Sequence, residues 1–395
     1  MQITCQSRAR RRKNKSALRH SRSGNVLVLT ALLVTLMFAM VAFAVDLGYI
    51  ARTTAQLQSA TDAAALAAAI ELEDGLGLAA NSTAGEVAAA GSTSAATVAA
   101  LNPNGDVDGT IVDAATDLRF GQYDWNASTG AWETVWDRTP YNLVRVTARR
   151  GNGGSGSNGP LPLLFAPVLG HNFSQLSESA SAALRAGVGV KLKPGSGLTA
   201  DVLPIALDVP SWDALMAGSG ADNYSFNSKT RVIAEGSDGI KEIDLYPYGV
   251  NSLPPGNRGT VDLGSSNNST NDLKRQILHG LSETDLSFFG GELRTDRGPL
   301  AINGDTGISA GIKAELETIK GQPRLIPLFT AVSGPGNNAT YTVVKFVGIR
   351  ILHVQLTGSS KRVVVQPATF VGHEVIPGNV SISKDSYFTP PRLVK

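Results

Sequence analysis

Cysteine is almost missing from this 395-residue sequence, and recognisable catalytic motifs are missing too. Cys5 is the single cysteine, so no disulfide can form within the chain. The five histidines do not occur in the H-E-x-x-H or H-x3-H spacing that brings two imidazoles to one metal ion. No G-x-S-x-G serine motif occurs either. We therefore expect a protein that is not an enzyme, with no catalytic residues, no cofactor and no bound metal.

Acidic residues are missing from the first 24 positions. The same positions contain eight basic residues: Arg8, Arg10, Arg11, Arg12, Lys13, Lys15, Arg19 and Arg22. Since the whole chain has 35 cations and 33 acids, the remainder has 27 cations against 33 acids, a net charge of −6. A short basic segment is attracted to anionic lipid. The acidic remainder has no basic stripe, which indicates that nucleic acid is not a partner.

Charge, proline and glycine are all absent from one long apolar run, Val26–Val45. A helix rises about 1.5 Å per residue, so this run is long enough for the hydrocarbon core of a bilayer, about 30 Å. It therefore predicts a transmembrane helix. By the positive-inside rule, residues 1–24 lie in the cytoplasm and everything after Val45 is exported. Cleavage as a signal peptide near Ala44 is the alternative, but the length of the run favours a retained anchor.

The helix is predicted to continue out of the membrane over residues 25–72. Alanine, the best helix former, dominates its second half, and neither glycine nor proline occurs between Gly48 and Gly75. The second half also has a face of small residues that permits close helix packing. This face consists of Ala60, Ala63, Ala64 and Ala67. The sequence leaves open whether the face packs on the protein's own body or on a partner helix.

The features of this N-terminal segment resemble those of the Flp pilus-assembly TadE/TadG-like family. They are a basic tail, a glycine before the apolar run, a DLGY exit and a later QLQ-A-DAAALA pattern. The matching residues, which we interpret as structural, are Gly24, Asp46, Gly48, Tyr49, Gln56, Leu57, Asp62, Ala63, Ala64 and Leu66. The resemblance implies a bacterial membrane-anchored envelope protein tied to tight-adherence pili or the related secretion apparatus.

Two positions depart from what the resemblance implies. Prepilin-like proteins have a Glu five residues after the glycine, where this chain has Leu29; processing after Gly24 and entry into a fibre therefore stay open. Larger family members often contain a von Willebrand A domain, whose metal loop needs two serines after an aspartate. The nearest string, Asp262–Ser266, has Gly264 in place of one serine. We predict no such domain here.

The exported part predicts an α+β fold, loop-rich and with mainly antiparallel strands. We divide the chain into a basic cytoplasmic tail (1–24), the transmembrane helix and its extension (25–72), a first exported α+β region (73–187) and a second, β-rich region (188–395). Predicted helices beyond the first are 86–100, 162–169, 271–281 and 308–319. Predicted strands are 110–112, 117–125, 131–136, 143–147, 177–185, 202–207, 241–245, 259–263, 324–329, 341–356 and 362–370.

These patterns together predict a single-pass protein of the bacterial inner membrane with its N-terminus in the cytoplasm. The predicted function is that of a structural or assembly component of a Flp/Tad-type pilus, an adhesion organelle, or of a related secretion apparatus. Its predicted partners are the lipid bilayer and membrane proteins of that apparatus, reached by packing of the N-terminal helix. The alternative is a surface binding or hydrolytic protein that uses the segment only as an anchor. No motif in residues 200–395 specifies a ligand or an oligomeric state.

Overall fold

The computed structural model of the protein describes residues 25–78, 80, 82–152, 158–245, 259–264, 269–304, 307–334, 339–358 and 361–394. Gly24 and the rest of the basic tail therefore lie outside the described residues. The α-helices are α1 Asn25–Glu71, α2 Ala84–Ala100, α3 Val209–Met216, α4 Thr270–His279, α5 Glu283–Ser287 and α6 Lys313–Thr318. Short 3-10 helices are Leu72–Gly75, Ala166–Leu169 and Ala310–Ile312.

The strands form several sheets. Those of the first half are β1 Leu118–Asn126, β2 Ala131–Trp136, β3 Leu143–Arg150, β4 Leu161–Pro162, β5 Phe173–Ser174, β6 Leu176–Ala183 and β7 Gly187–Lys191. Those of the second half are β8 Leu207–Asp208, β9 Tyr224–Asn227, β10 Val232–Glu235, β11 Ile243–Asp244, β12 Glu292–Arg294, β13 Leu300–Gly304, β14 Pro323–Ser333, β15 Ala339–Gln355, β16 Arg362–Pro367, β17 Val375–Pro377 and β18 Arg392–Val394.

Helix α1 is continuous for 47 residues, which confirms the predicted extension. Its length is about 70 Å at the usual helical rise. Among the described residues it is the one helix long and apolar enough to cross a membrane, with a mean hydropathy of 2.7 over its most apolar part and none of that part buried. The hydroxyls of Thr30 and Thr35 donate to carbonyls one turn earlier at 2.8 and 2.9 Å, so the exposed segment presents almost purely apolar side chains.

The second half of α1 belongs to the body of the protein. It packs with α2 on one face of a five-stranded antiparallel sheet in the order β18-β6-β3-β1-β2. Ala64 and Ala68 are fully buried here, together with Val144 and Val146 of β3. A Cβ on Gly91 of α2 would lie 3.1 Å from the carbonyl oxygen of Ala68. Small residues thus let α2 approach α1 closely.

The second region contains a six-stranded sheet. Its strands run β11-β16-β15-β14-β8, with β13 also paired to β15. All pairs are antiparallel except β14 with β8. Its core contains apolar side chains from the sheet and from α3, α4 and α6, including Trp212, Ile277 and Leu316. The predicted α+β class with mainly antiparallel strands is confirmed.

The division into two regions at residue 187 stays a prediction. In the structure, the C-terminal end of the second region returns to pack with the first region. Strand β18, at residues 392–394, pairs with β6 and adds an edge to the first sheet. The phenyl ring of Phe388 is fully buried in the same core as α1 and α2. The end of the second region is therefore part of the first region's packing.

Four predicted elements are wrong. Residues 110–112 form no strand, because their backbone bonds elsewhere: the N–H of Thr110 donates to Ala99 and that of Ile111 to the side chain of Asn158. Residues 202–207, which contain Pro204 with no N–H, make only single bridges before β8 begins. Residues 259–263 likewise make only single bridges. The predicted helix 162–169 is a short strand followed by a 3-10 turn.

Candidate membrane-exit site

Asp46 is the first charged residue after the apolar run, and its carboxylate is tied to a distant loop. The side chain lies on α1 and only 4% of the residue is exposed. Oδ1 accepts hydrogen bonds from the backbone N–H groups of Leu164 at 2.9 Å and Phe165 at 3.2 Å. Oδ2 accepts from Phe165 at 3.0 Å and Ala166 at 2.6 Å. Three successive N–H groups around one carboxylate make an anion-binding nest, and bonds to a charged acceptor are the strong kind.

The loop that supplies these N–H groups is a hairpin, residues 161–174, which we call the apolar hairpin. Strands β4 and β5 pair at its base, Leu161 with Ser174. The 3-10 turn Ala166–Leu169 forms its tip and ends at Gly170, whose φ of 86° is the left-handed conformation that glycine adopts most easily. The N–H of Ala166 is at the start of this turn, where it has no partner within the turn, and Asp46 satisfies it.

A second polar cluster holds the base of the hairpin to α1. Arg150, at the end of β3, is fully buried and donates to the carbonyl oxygens of Gly159 at 2.8 Å and Asn104 at 2.8 Å. It also forms an ion pair with Asp106 at 2.6 Å. Gln56 of α1 accepts the N–H of Gly105 at 3.0 Å. The guanidinium of Arg150 thus joins the 104–106 turn to the hairpin base, and Gln56 joins the same turn to α1.

The signature residues fall into two groups. Asp46 and Gln56 hold loops, while Leu57 and Ala64 are fully buried in the core under α2 and the sheet. The other described members lie on half-buried or exposed parts of α1. Leu66 packs against the edge of the same core, the Tyr49 carbonyl accepts the hydroxyl of Thr53 at 2.9 Å, and Asp62 accepts the amide of Gln58 at 2.6 Å. The members of this second group are Gly48, Tyr49, Asp62, Ala63 and Leu66.

The small-residue face of α1 packs on the protein's own body. Ala60 and Ala64 are 0% exposed, whereas Ala63 and Ala67 are half-buried. A partner helix therefore has no access to the two central residues of this face. The partners of Asp46 could not be identified from the sequence, because a backbone N–H group is common to almost every residue type. The one feature of the sequence that marks the hairpin is the apolar stretch without charge at residues 161–169.

Residues 24–71 match the family model described as putative Flp pilus-assembly TadE/G-like. The matched TadE/G-like segment coincides with α1 and includes both residues that hold the loops, Asp46 and Gln56. Neither the curated proteins nor the solved structures contain a match to the chain. The TadE/G-like likeness therefore concerns α1, and the sheets of the body lie outside it.

No metal centre is formed by the residues that the structure describes, since no three His, Cys, Asp or Glu side chains come together in a way that would hold an ion. The carboxylate of Asp262 accepts the N–H of Gly264 at 3.2 Å, and Ser265 and Ser266 lie outside the described ranges. The expectation of no metal and no cofactor stays a prediction.

Proposed function

We propose that the protein is a single-pass structural or assembly component of a Flp/Tad-type pilus or a related secretion apparatus. It would sit in the bacterial inner membrane with its N-terminus in the cytoplasm, and it would not be an enzyme. The observation that supports this most is the TadE/G-like match on α1, a helix whose first half is exposed and apolar and whose second half is built into the body.

The buried Ala60 and Ala64 change how such a component would dock. Lateral packing on partner proteins would have to use the exposed half of α1. Small residues let membrane helices approach closely, and Ala31, Thr35 and Ala39 follow one another at four-residue spacing, on one face of the helix. Leu33 and Met37 lie on the opposite face. We propose the Ala31–Ala39 face as the docking face.

Photocrosslinking in native membranes tests this proposal. Photoreactive residues at Ala31 and Ala39 are expected to capture membrane proteins of the pilus or secretion apparatus, identified by mass spectrometry. The same probes at Leu33 and Met37 are the matched control and are expected to capture mainly lipid. Capture of lipid alone at all four positions would contradict the docking role and favour the alternative of a simple anchor.

The alternative, a surface binding or hydrolytic body, has no observation of its own in the described residues. A cleft of about 480 Å³ is lined by Arg231, Arg324 and Arg350, but also by Glu73 and Asp201. Because side chains of both signs line it, the cleft favours no single class of ligand.

A further inference from the structure

The tip of the apolar hairpin is left uncovered by the rest of the protein. Val168 is 89% exposed and Leu169 is 77% exposed. Leu164, Phe165 and Phe173 are 64%, 46% and 60% exposed. No Asp, Glu, Lys or Arg occurs between residues 161 and 174. Large apolar side chains grouped and exposed in this way mark a surface that meets another apolar phase.

The hairpin lies at the level where α1 changes from exposed to buried. Val45 is still 41% exposed, and Asp46 directly after it is buried by the hairpin's N–H groups. A carboxylate that follows twenty apolar residues marks the point at which the helix leaves the hydrocarbon core. Leu164, Phe165 and Ala166 are therefore held within hydrogen-bond distance of the membrane boundary.

Contacts along α1 place the hairpin on the membrane side of this boundary as well. Ala42 is four residues before Asp46 and so lies on the same face, one turn deeper into the apolar segment. It is half-buried, whereas every other residue of 26–45 whose exposure is described is exposed. The 3-10 turn of the hairpin is in contact with α1. The hairpin thus extends the lipid-facing surface of the helix sideways.

We propose that the apolar hairpin inserts its tip into the outer leaflet of the membrane that α1 crosses. Its occupant is the lipid bilayer, because the exposed apolar side chains of the hairpin continue the exposed apolar surface of α1. The one charged residue between the two surfaces, Asp46, is buried under the hairpin's N–H groups. Buried apolar side chains at the interface bind in proportion to the area they remove from water. This inference rests on the membrane anchor in the proposed function and does not depend on the pilus role.

A second point of membrane contact would fix the orientation of the exported body. A single helix leaves a body free to rotate about the helix axis and to tilt. The hairpin removes part of that freedom, because Asp46 joins it to α1 and the tip joins it to lipid. The five-stranded sheet, which packs on α1, would then keep one orientation relative to the membrane.

Depth-dependent quenching on the full-length protein tests the insertion. Cys5→Ser removes the native thiol, and Val168→Cys is labelled with an environment-sensitive fluorophore. The protein is reconstituted at one copy per lipid nanodisc, with or without lipids that have a nitroxide high on the acyl chain. We expect a blue-shifted emission and a loss of most of the fluorescence with nitroxide lipid. Val232→Cys in β10, a valine that is 55% exposed, is the matched control and should keep its fluorescence.

Each other outcome overturns the proposal. Equal quenching of both positions by aqueous iodide would show that the hairpin tip is in water. Shielding of position 168 that appears only with two copies per disc would assign the surface to a second copy of the chain. Val34→Cys, near the middle of the apolar run, reports on the anchor itself when the nitroxide lies deep on the acyl chain. If it escapes that lipid, α1 does not cross the bilayer and the hairpin proposal falls with it. Because the discs contain no pilus proteins, none of these results depends on the pilus role.

Discussion

The carboxylate of Asp46 accepts a 2.6 Å hydrogen bond from the backbone N–H of Ala166, which lies 120 positions further along the chain. The contact joins the end of the exposed apolar segment of α1 to a loop of the folded body. Two neighbouring N–H groups bind the same carboxylate. The exit of the helix is therefore a fixed joint between anchor and body.

Removal of this joint should release the hairpin without unfolding the sheets. In Asp46→Ala the N–H groups of residues 164–166 lose their acceptor, and their hydrogen exchange should accelerate by at least about tenfold, since bonds to charged groups are among the strongest in proteins. Asp46→Asn keeps an acceptor oxygen and should show a smaller effect. Asp62→Asn is the control, because Asp62 accepts the amide of Gln58 within the same helix and its bond therefore holds no distant loop. Unchanged exchange in Asp46→Ala would show that the carboxylate does not hold the loop.

Gly105 tests the second polar cluster. Its φ is +65°, and a Cβ there would lie 2.7 Å from Leu161 and 3.1 Å from the guanidinium of Arg150. Gly130 has nearly the same φ, +64°, but nothing lies within 4 Å of an added Cβ. Gly130→Ala should therefore show only the backbone cost of about 1–2 kcal/mol, and Gly105→Ala should lose a further 1–3 kcal/mol or so through overpacking.

The measurement is denaturant unfolding of both full-length variants in the same detergent. Equal losses in free energy of unfolding would mean that the turn at 104–106 can move away from the hairpin base. The cluster would then not be the rigid link that its buried hydrogen bonds indicate.

Much of α1 could be predicted because its determinants are local. Residues 26–45 have no charge, which predicts a segment exposed to an apolar phase. The remainder of α1 has no proline, which predicts that the helix continues. The contacts of Asp46 could not be predicted, since its partners are backbone N–H groups, which have no residue type. The same holds for the bonds from Arg150 to the carbonyl oxygens of Gly159 and Asn104. The string at 162–169 was interpreted as a helix from its apolar residues alone. Nothing local indicates that its side chains remain exposed, which depends on its position beside α1.

A substitution at Ala64 tests whether the small-residue face of α1 packs on the protein's own body. It is fully buried among α2, β3 and β6, so Ala64→Leu should overpack this core and cost about 1–3 kcal/mol of unfolding free energy. Ala55, on an exposed part of the same helix, is the control, and Ala55→Leu should change stability by less than about 0.5 kcal/mol. If Ala64→Leu were as stable as the unchanged protein, the face would not be packed in the body, and a partner helix would become its occupant.

The ion pair of Asp285 is expected to make the free energy of unfolding of the second region depend on pH in the acidic range. Its carboxylate is 5% exposed and forms a two-point ion pair with Arg275 at 2.7 and 2.8 Å. Burial raises the pKa of Asp285, but the hydrogen bonds from Arg275 and Ser282 outweigh it and hold the pKa below its ordinary value. A lowered pKa in the folded state means that the ionised carboxylate stabilises the fold above the unfolded pKa of about 3.9. This contribution is lost as the pH falls through the folded value.

The variant Asp285→Asn has no ionisation to lose, so it separates this effect from general acid denaturation. At pH 6 to 7 we expect it to be less stable than the unchanged protein by about 1–3 kcal/mol, because Arg275 loses its charged partner. The difference should narrow as the pH falls below about 3.9 and disappear below the folded pKa. Urea unfolding at a series of pH values measures this difference in the free energy of unfolding. Asp296→Asn is the control, since Asp296 is a more exposed carboxylate paired to Arg294. A difference that stays constant from neutral to acidic pH would show that the pair contributes through its shape alone, and that the charge of Asp285 does not stabilise the fold.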